Sequence, residues 1–170
     1  MRGPFVGRDD ELGRLEHLWG RARRAGPAAA LLVGDPGSGK SRLLEELIGR
    51  IGANRHLVMR GYEPEQGIAY AAARDALVAL GTGITDLDAG EARIATFEAT
   101  HRAIGDEPLL LVLDDMQWFD ETSLALCHYL LRAATGERRR TLVVAAGRPS
   151  ARMREFQMGA ARLELEPDLL

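Results

Sequence analysis

Gly34-Asp35-Pro36-Gly37-Ser38-Gly39-Lys40-Ser41 is where residue type and spacing point most directly to chemistry. The segment fits G-x-x-x-x-G-K-[ST] at every position, after the apolar run Ala28–Val33 and before an amphipathic stretch. Glycines let the backbone curl so that successive N–H groups face a phosphate chain, and a helix starting near Ser38 adds its positive end. Lys40 is placed to reach the β- and γ-phosphates, and the Ser41 hydroxyl to ligate Mg²⁺. The nucleotide-binding set is therefore Gly34, Pro36, Gly37, Ser38, Gly39, Lys40, Ser41 and the adjoining Arg42. A Gly-rich turn that happens to contain Lys-Ser explains the letters, but not the strand before them and the helix after. Lys40 also stands out by composition. Of the 22 basic residues it is the single Lys, as if this position needs a compact ammonium that a planar guanidinium cannot replace.

A second cluster is acidic. Leu109–Leu113 is a continuous apolar run that ends in Asp114-Asp115. Brought beside the phosphate loop, Asp114 can hold Mg²⁺, usually through water, and Asp115 can polarise an attacking water or merely orient the site. A buried strand ending in a polar turn is the plainer alternative. Arg148 follows the apolar run Thr141–Ala146, in the crevice where open α/β sheets bind ligands. There it can contact a γ-phosphate or pair with a surface carboxylate. Trp118 reads as a packing anchor or as part of the wall beside the nucleotide, and Asp120 as the N-cap of the next helix. His17, His56, His101 and His128 show no metal-ligand spacing. Cys127 lies in an apolar helical pattern and reads as core.

The elements that must position these groups alternate. Strands are expected at Ala28–Val33, His56–Arg60, Leu109–Leu113 and Thr141–Ala146, with a weaker one at Arg162–Glu166. Helices are expected at Asp9–Arg24, Ser38–Ile51, Ala71–Leu80, Glu91–Ile104 and Glu121–Ala134. The third and fourth helices form an insertion joined by a Gly-rich turn, Gly81–Gly90. This alternation implies an α/β parallel sheet with helices on both faces.

Composition narrows the class. A 170-residue chain with 46% hydrophobic and 28% charged residues is sized for one globular domain. Its net charge of −3 argues against a dedicated surface for DNA or anionic membrane. The longest apolar runs are too short for a bilayer, Met1 is followed by no secretory region, and one cysteine cannot form an internal disulfide. A cytoplasmic protein is expected.

Taken together, the motifs resemble the P-loop ATPases with an additional strand between the Walker A and Walker B strands, which include the AAA-type and STAND (signal-transducing) ATPases. Phe5-Val6-Gly7-Arg8-Asp9-Asp10-Glu11-Leu12, the phosphate loop and Leu113-Asp114-Asp115-Met116-Gln117-Trp118-Phe119-Asp120 are similar to segments of large ATP-dependent LuxR-type bacterial regulators. The resemblance covers essentially residues 1–170. It implies a three-layer sandwich with a five-stranded parallel sheet in the order 5-1-4-3-2. It also implies ATP/ADP and Mg²⁺ as cofactors, with Val6, Gly7 and Arg8 near the adenine. Lys40, Asp115 and Arg148 are the implied catalytic groups, Arg148 as the nucleotide-sensing residue, and Ser41 and Asp114 the metal ligands. On this reading the domain is a slowly hydrolysing switch whose partners are further C-terminal domains of a longer chain, with nucleotide-dependent self-association and no DNA binding of its own. A ring-forming AAA motor or loader, or a non-hydrolysing nucleotide-binding module, are the alternatives. Three departures bear on hydrolysis rate more than on binding. Asp114-Asp115 replaces the Asp-Glu of many AAA relatives, Gln117 stands where the regulators commonly carry His, and Ala145 and Ala146 fill the region of a polar sensor.

Overall fold

A computed structural model describes residues 8–52, 55–82, 90–160 and 164–166. Its body is a parallel sheet of β1 (Ala28–Val33), β2 (His56–Arg60), β3 (Leu109–Asp114) and β4 (Thr141–Gly147), in the order 1-4-3-2. β5 is only Glu164–Glu166, paired with Ala28 to Ala30 on the outer side of β1. The expected fifth strand is thus a three-residue segment at the outer edge of the sheet.

The strands are apolar without alternation because both faces are covered, as parallel sheets require. Side chains still alternate between the faces. Ala28, Ala30, Leu32, Leu110, Val112, Leu142, Val144 and Ala146 join a core with α1 (Asp9–Ala25) and α2 (Lys40–Ile51). Their odd-numbered neighbours, from Ala29 to Ala145, face α3 (Arg74–Ala79), α4 (Gly90–Ile104), α5 (Glu121–Gly136) and α6 (Ala151–Ala160). Three layers result, with the strand C-termini, and hence every candidate polar group, along one edge of the sheet.

Two helix starts differ from expectation, each for a local reason. α2 begins at Lys40 rather than Ser38, because Gly37 and Gly39 have φ of 77° and 85°, outside the right-handed helical region. α3 begins at Arg74 rather than Ala71, because Tyr70 has φ of 60° and the N–H groups of Ala71 and Arg74 bond three residues back, to Ile68 and Ala71, in turns rather than in an α-helix. Tyr70 and Ala72 donate to the Asp120 carboxylate, and Ala73 donates to Ser123 Oγ. No helix among the described residues is long and apolar enough to cross a membrane.

Candidate functional site

The loop Gly34–Gly39 joins the end of β1 to the start of α2. Its first residue is pinned to the sheet by an N–H bond from Gly34 to the Gly147 carbonyl (3.2 Å). α1 opens with Asp9, Asp10 and Glu11, the usual complement to a helix N-terminus. The first turn of α2 holds no acid and instead carries Lys40 and Arg42, leaving its positive end free to meet an anion. Lys40 is buried, and its Nζ donates to the carbonyls of Gly34 and Asp35 (2.8 Å each) and to Ser38 Oγ (3.1 Å). Burial lowers the pKa of this ammonium, and Arg148 and Arg8 act in the same direction, while Asp115 and Asp114 oppose them. A phosphate chain would supply the countercharge that this crowded cation lacks.

The two residues expected to ligate a metal meet across the sheet. Ser41 Oγ donates to Asp114 Oδ1 at 3.1 Å, joining the start of α2 to the end of β3. These hard oxygens suit Mg²⁺, which prefers oxygen donors and retains waters in its shell. Burial raises the pKa of Asp114, with Asp115 reinforcing the shift and the Ser41 hydroxyl and Arg60 opposing it. A bound cation would favour the ionised form in the same way.

Asp115 lies just past the strand in a left-handed conformation (φ 52°, ψ 45°), half-buried at the mouth of the site. Its Oδ1 accepts a hydrogen bond from Gln117 Nε2 at 3.0 Å. The backbone N–H of Arg148 donates to the other end of the same amide, Gln117 Oε1, also at 3.0 Å. The Arg148 guanidinium is exposed and lies 5.9 Å from the centre of the Trp118 ring. Trp118 is therefore a neighbour of the Arg148 guanidinium, and among the described residues no carboxylate pairs with Arg148.

Gly34, Ser38, Gly39, Lys40, Ser41, Asp114, Asp115 and Arg148 are therefore brought to one edge of the sheet. Pro36, Gly37 and Arg42 are on its exposed rim. Arg8 lies against the loop, where its Nη2 donates to the Ser38 carbonyl. Val6 and Gly7 fall outside the described residues. Asp120 caps α5 by accepting from Ser123 N at 2.9 Å, and it also holds the segment after β2, accepting from Tyr70 N (3.0 Å) and Ala72 N (3.1 Å).

Arg60 was not expected in the site. Its Nε and Nη2 both donate to Asp114 Oδ2, at 3.1 and 3.0 Å. The signal was a matter of register: β2 lies beside β3, and Arg60 is the register partner of Asp114, so an Arg ending one strand meets an Asp ending the next. Gly61 follows at a close approach, where a Cβ would lie 2.6 Å from the Asp115 carbonyl oxygen and 2.9 Å from the Trp118 carbonyl carbon.

Comparison with known proteins bears on the family and the fold. Over 55 residues the chain is 40% identical to an uncharacterized protein of Rhizobium meliloti (strain 1021), a match covering 32% of this chain and 5% of that one. The fold superposes over 98% of the chain on Cdc6p of Pyrobaculum aerophilum, with a TM-score of 0.73, 18% identity and 46% of that chain covered. It also superposes over 98% on the Orc1 protein of Aeropyrum pernix solved with DNA, with a TM-score of 0.70, 19% identity and 46% coverage. The ORC2 protein of the same organism, solved as ADPNP–ADP complexes, gives a TM-score of 0.61 over 98% of this chain at 15% identity, with 49% of that chain covered. The chain spans about half the length of these structures, and at such identities the likeness is one of fold. The family model described as the AAA ATPase domain matches residues 4–144, and the chain belongs to that family.

Proposed function

We propose that this domain binds Mg²⁺–ATP across the loop from β1 to α2 and hydrolyses it to ADP and phosphate as a conformational switch. The observation that carries this reading is the convergence of Lys40, the Ser41–Asp114 pair and Asp115 at one sheet edge. Loop N–H groups and Lys40 hold the phosphates and offset charge that builds during transfer. Ser41 and Asp114 would hold Mg²⁺, which would further neutralise the phosphate oxygens. Asp115 orients a water toward the γ-phosphorus. A bond from that water oxygen to phosphorus forms as the bond to the β–γ bridging oxygen breaks, and ADP departs with that electron pair. The water proton passes to the Asp115 carboxylate and then to solvent. Arg148 engages the γ-phosphate, so that ATP and ADP favour different arrangements at the end of β4.

Single-turnover hydrolysis tests the chemistry. Asp115→Asn should slow it by about a hundredfold while leaving nucleotide affinity nearly unchanged. An Asp115→Asn protein that hydrolyses at the wild-type rate would remove Asp115 from its role.

Two settings for the switch make different predictions. The fold likeness to Cdc6p and the Orc proteins, some solved with DNA or with nucleotide, favours a nucleotide-dependent assembly of AAA domains. The motif resemblance around Asp114–Asp120 is the support for a LuxR-type regulator, with effector domains further along a longer chain and no DNA contact by this domain. Sedimentation with ATP and with ADP separates them. A ring-sized oligomer formed in ATP alone supports the first, and a monomer or a smaller self-associated species supports the second.

A further inference from the structure

Gln117 is a buried polar side chain, 9% exposed, that neither the phosphate loop nor the acidic pair accounts for. Its amide is held at both ends, by Asp115 Oδ1 on the nitrogen side and by the Arg148 N–H on the oxygen side. The partners determine which way the amide faces, since an ionised carboxylate only accepts and a backbone N–H only donates. The surrounding space fits the amide closely. A Cβ at Gly147 would lie 2.7 Å from Gln117 Oε1, so a larger residue ending β4 would push the amide from its present position. A second tie between these parts is the Arg148 guanidinium, 5.9 Å from the centre of the Trp118 ring, one residue beyond Gln117 in the turn Met116–Trp118.

We propose that Gln117 is a positioning residue that couples the end of β4 to the aim of the Asp115 carboxylate. The inference rests on the reading of the site as an ATP-hydrolysing one. Holding Oδ1 of Asp115 through one donor leaves Oδ2 as the oxygen that faces a water. The acceptor end of the same amide is fixed to the residue that meets the γ-phosphate. A shift of β4 when Arg148 engages phosphate therefore moves the carboxylate, and sensing and water alignment become one event. Misplacement of a reacting group by about 1 Å lowers rate by roughly a hundredfold. A single amide contact is sufficient leverage.

The test compares wild type, Gln117→Met, Gln117→Glu, Gln117→His, Arg148→Ala and the Gln117→Met/Arg148→Ala double variant. Each is read for Mg²⁺–ATP affinity by calorimetry, single-turnover rate and Tm. Gln117→Met matches the side-chain length but makes neither hydrogen bond, and should slow turnover by about ten- to a hundredfold with affinity within about threefold of wild type. Gln117→Glu keeps the acceptor for Arg148 but repels Asp115, and should be as slow. Gln117→His supplies one donor and one acceptor as neutral imidazole and should recover most of the rate. The double variant should be no slower than its slower parent, because the two residues act as one unit. Should Gln117→Met fail to fold, the Glu and His variants carry the comparison. Wild-type turnover in Gln117→Met, affinity falling in step with rate, or strictly additive losses would overturn the coupling alone. A wild type that binds ATP without hydrolysing it would overturn the catalytic reading, and the coupling with it.

Discussion

Asp114 shows how function and stability pull apart at one residue. It is 1% exposed, and burial raises its pKa from the ordinary aspartate value despite Ser41 and Arg60. A raised folded pKa in an acid means that the fold disfavours the ionised form, so at neutral pH this carboxylate lowers stability rather than adding to it. Asp114→Asn should therefore hold or raise Tm in the absence of nucleotide while losing Mg²⁺-dependent binding. A fall of several degrees in thermal unfolding would contradict that account. The converse change is not symmetric. Arg60 is 40% exposed, so water can cover it when its partner is lost. Arg60→Ala instead strands a buried carboxylate and should cost about 1–2 kcal/mol in denaturant unfolding, below the figure for a wholly buried pair. Cys127 is a simpler case, 0% exposed with Sγ 3.7 Å from Met59 Sδ, and burial pushes its thiol up. It should resist thiol reagents in the native protein and react at once on unfolding, and rapid native labelling would show that α5 opens locally.

Between elements, the acidic turn after β3 is held by neighbours distant in sequence. Asp120 gathers three N–H groups, one from its own helix and two from the segment after β2. Asp120→Ala removes a helix cap and leaves buried donors unpaired, so a loss of about 3 kcal/mol or more is expected in denaturant unfolding. A loss below about 1 kcal/mol would mean that only the cap matters. Gly61→Ala places a methyl against backbone of the same turn. It should cost about 1–3 kcal/mol and slow hydrolysis more than it weakens nucleotide binding. Local chemistry made part of this legible in the sequence. Ser/Thr/Asp/Asn before an amphipathic run identifies a cap, and Asp120 is one. The second half of its role depends on the chain returning after β2, which no local pattern encodes. The same return of the chain explains why α3 is shorter than its apolar spacing suggests: Tyr70, whose N–H is held by Asp120, has φ of 60°, outside the right-handed helical region.

At the scale of the molecule, continuous apolar runs announced a sheet covered on both faces, and β1 and β2 begin and end where those runs do. The loop proposed to hold phosphate was legible as a motif because its pattern is contained in eight consecutive residues. Arg60 and Gln117 were not, because their roles are relations between strands: one follows from the register of β2 on β3, the other from β3 and β4 ending side by side. Both bear on how the site works, but neither decides whether it binds nucleotide. That claim falls to calorimetric titration of the protein with ATP and with ADP in Mg²⁺, for wild type and Lys40→Ala. Saturable binding at one site by wild type, weakened about ten- to a hundredfold or more in Lys40→Ala, is the predicted result for loss of charged hydrogen bonds to phosphate. A folded wild type that binds neither nucleotide, or a Lys40→Ala protein that binds equally well, would contradict it.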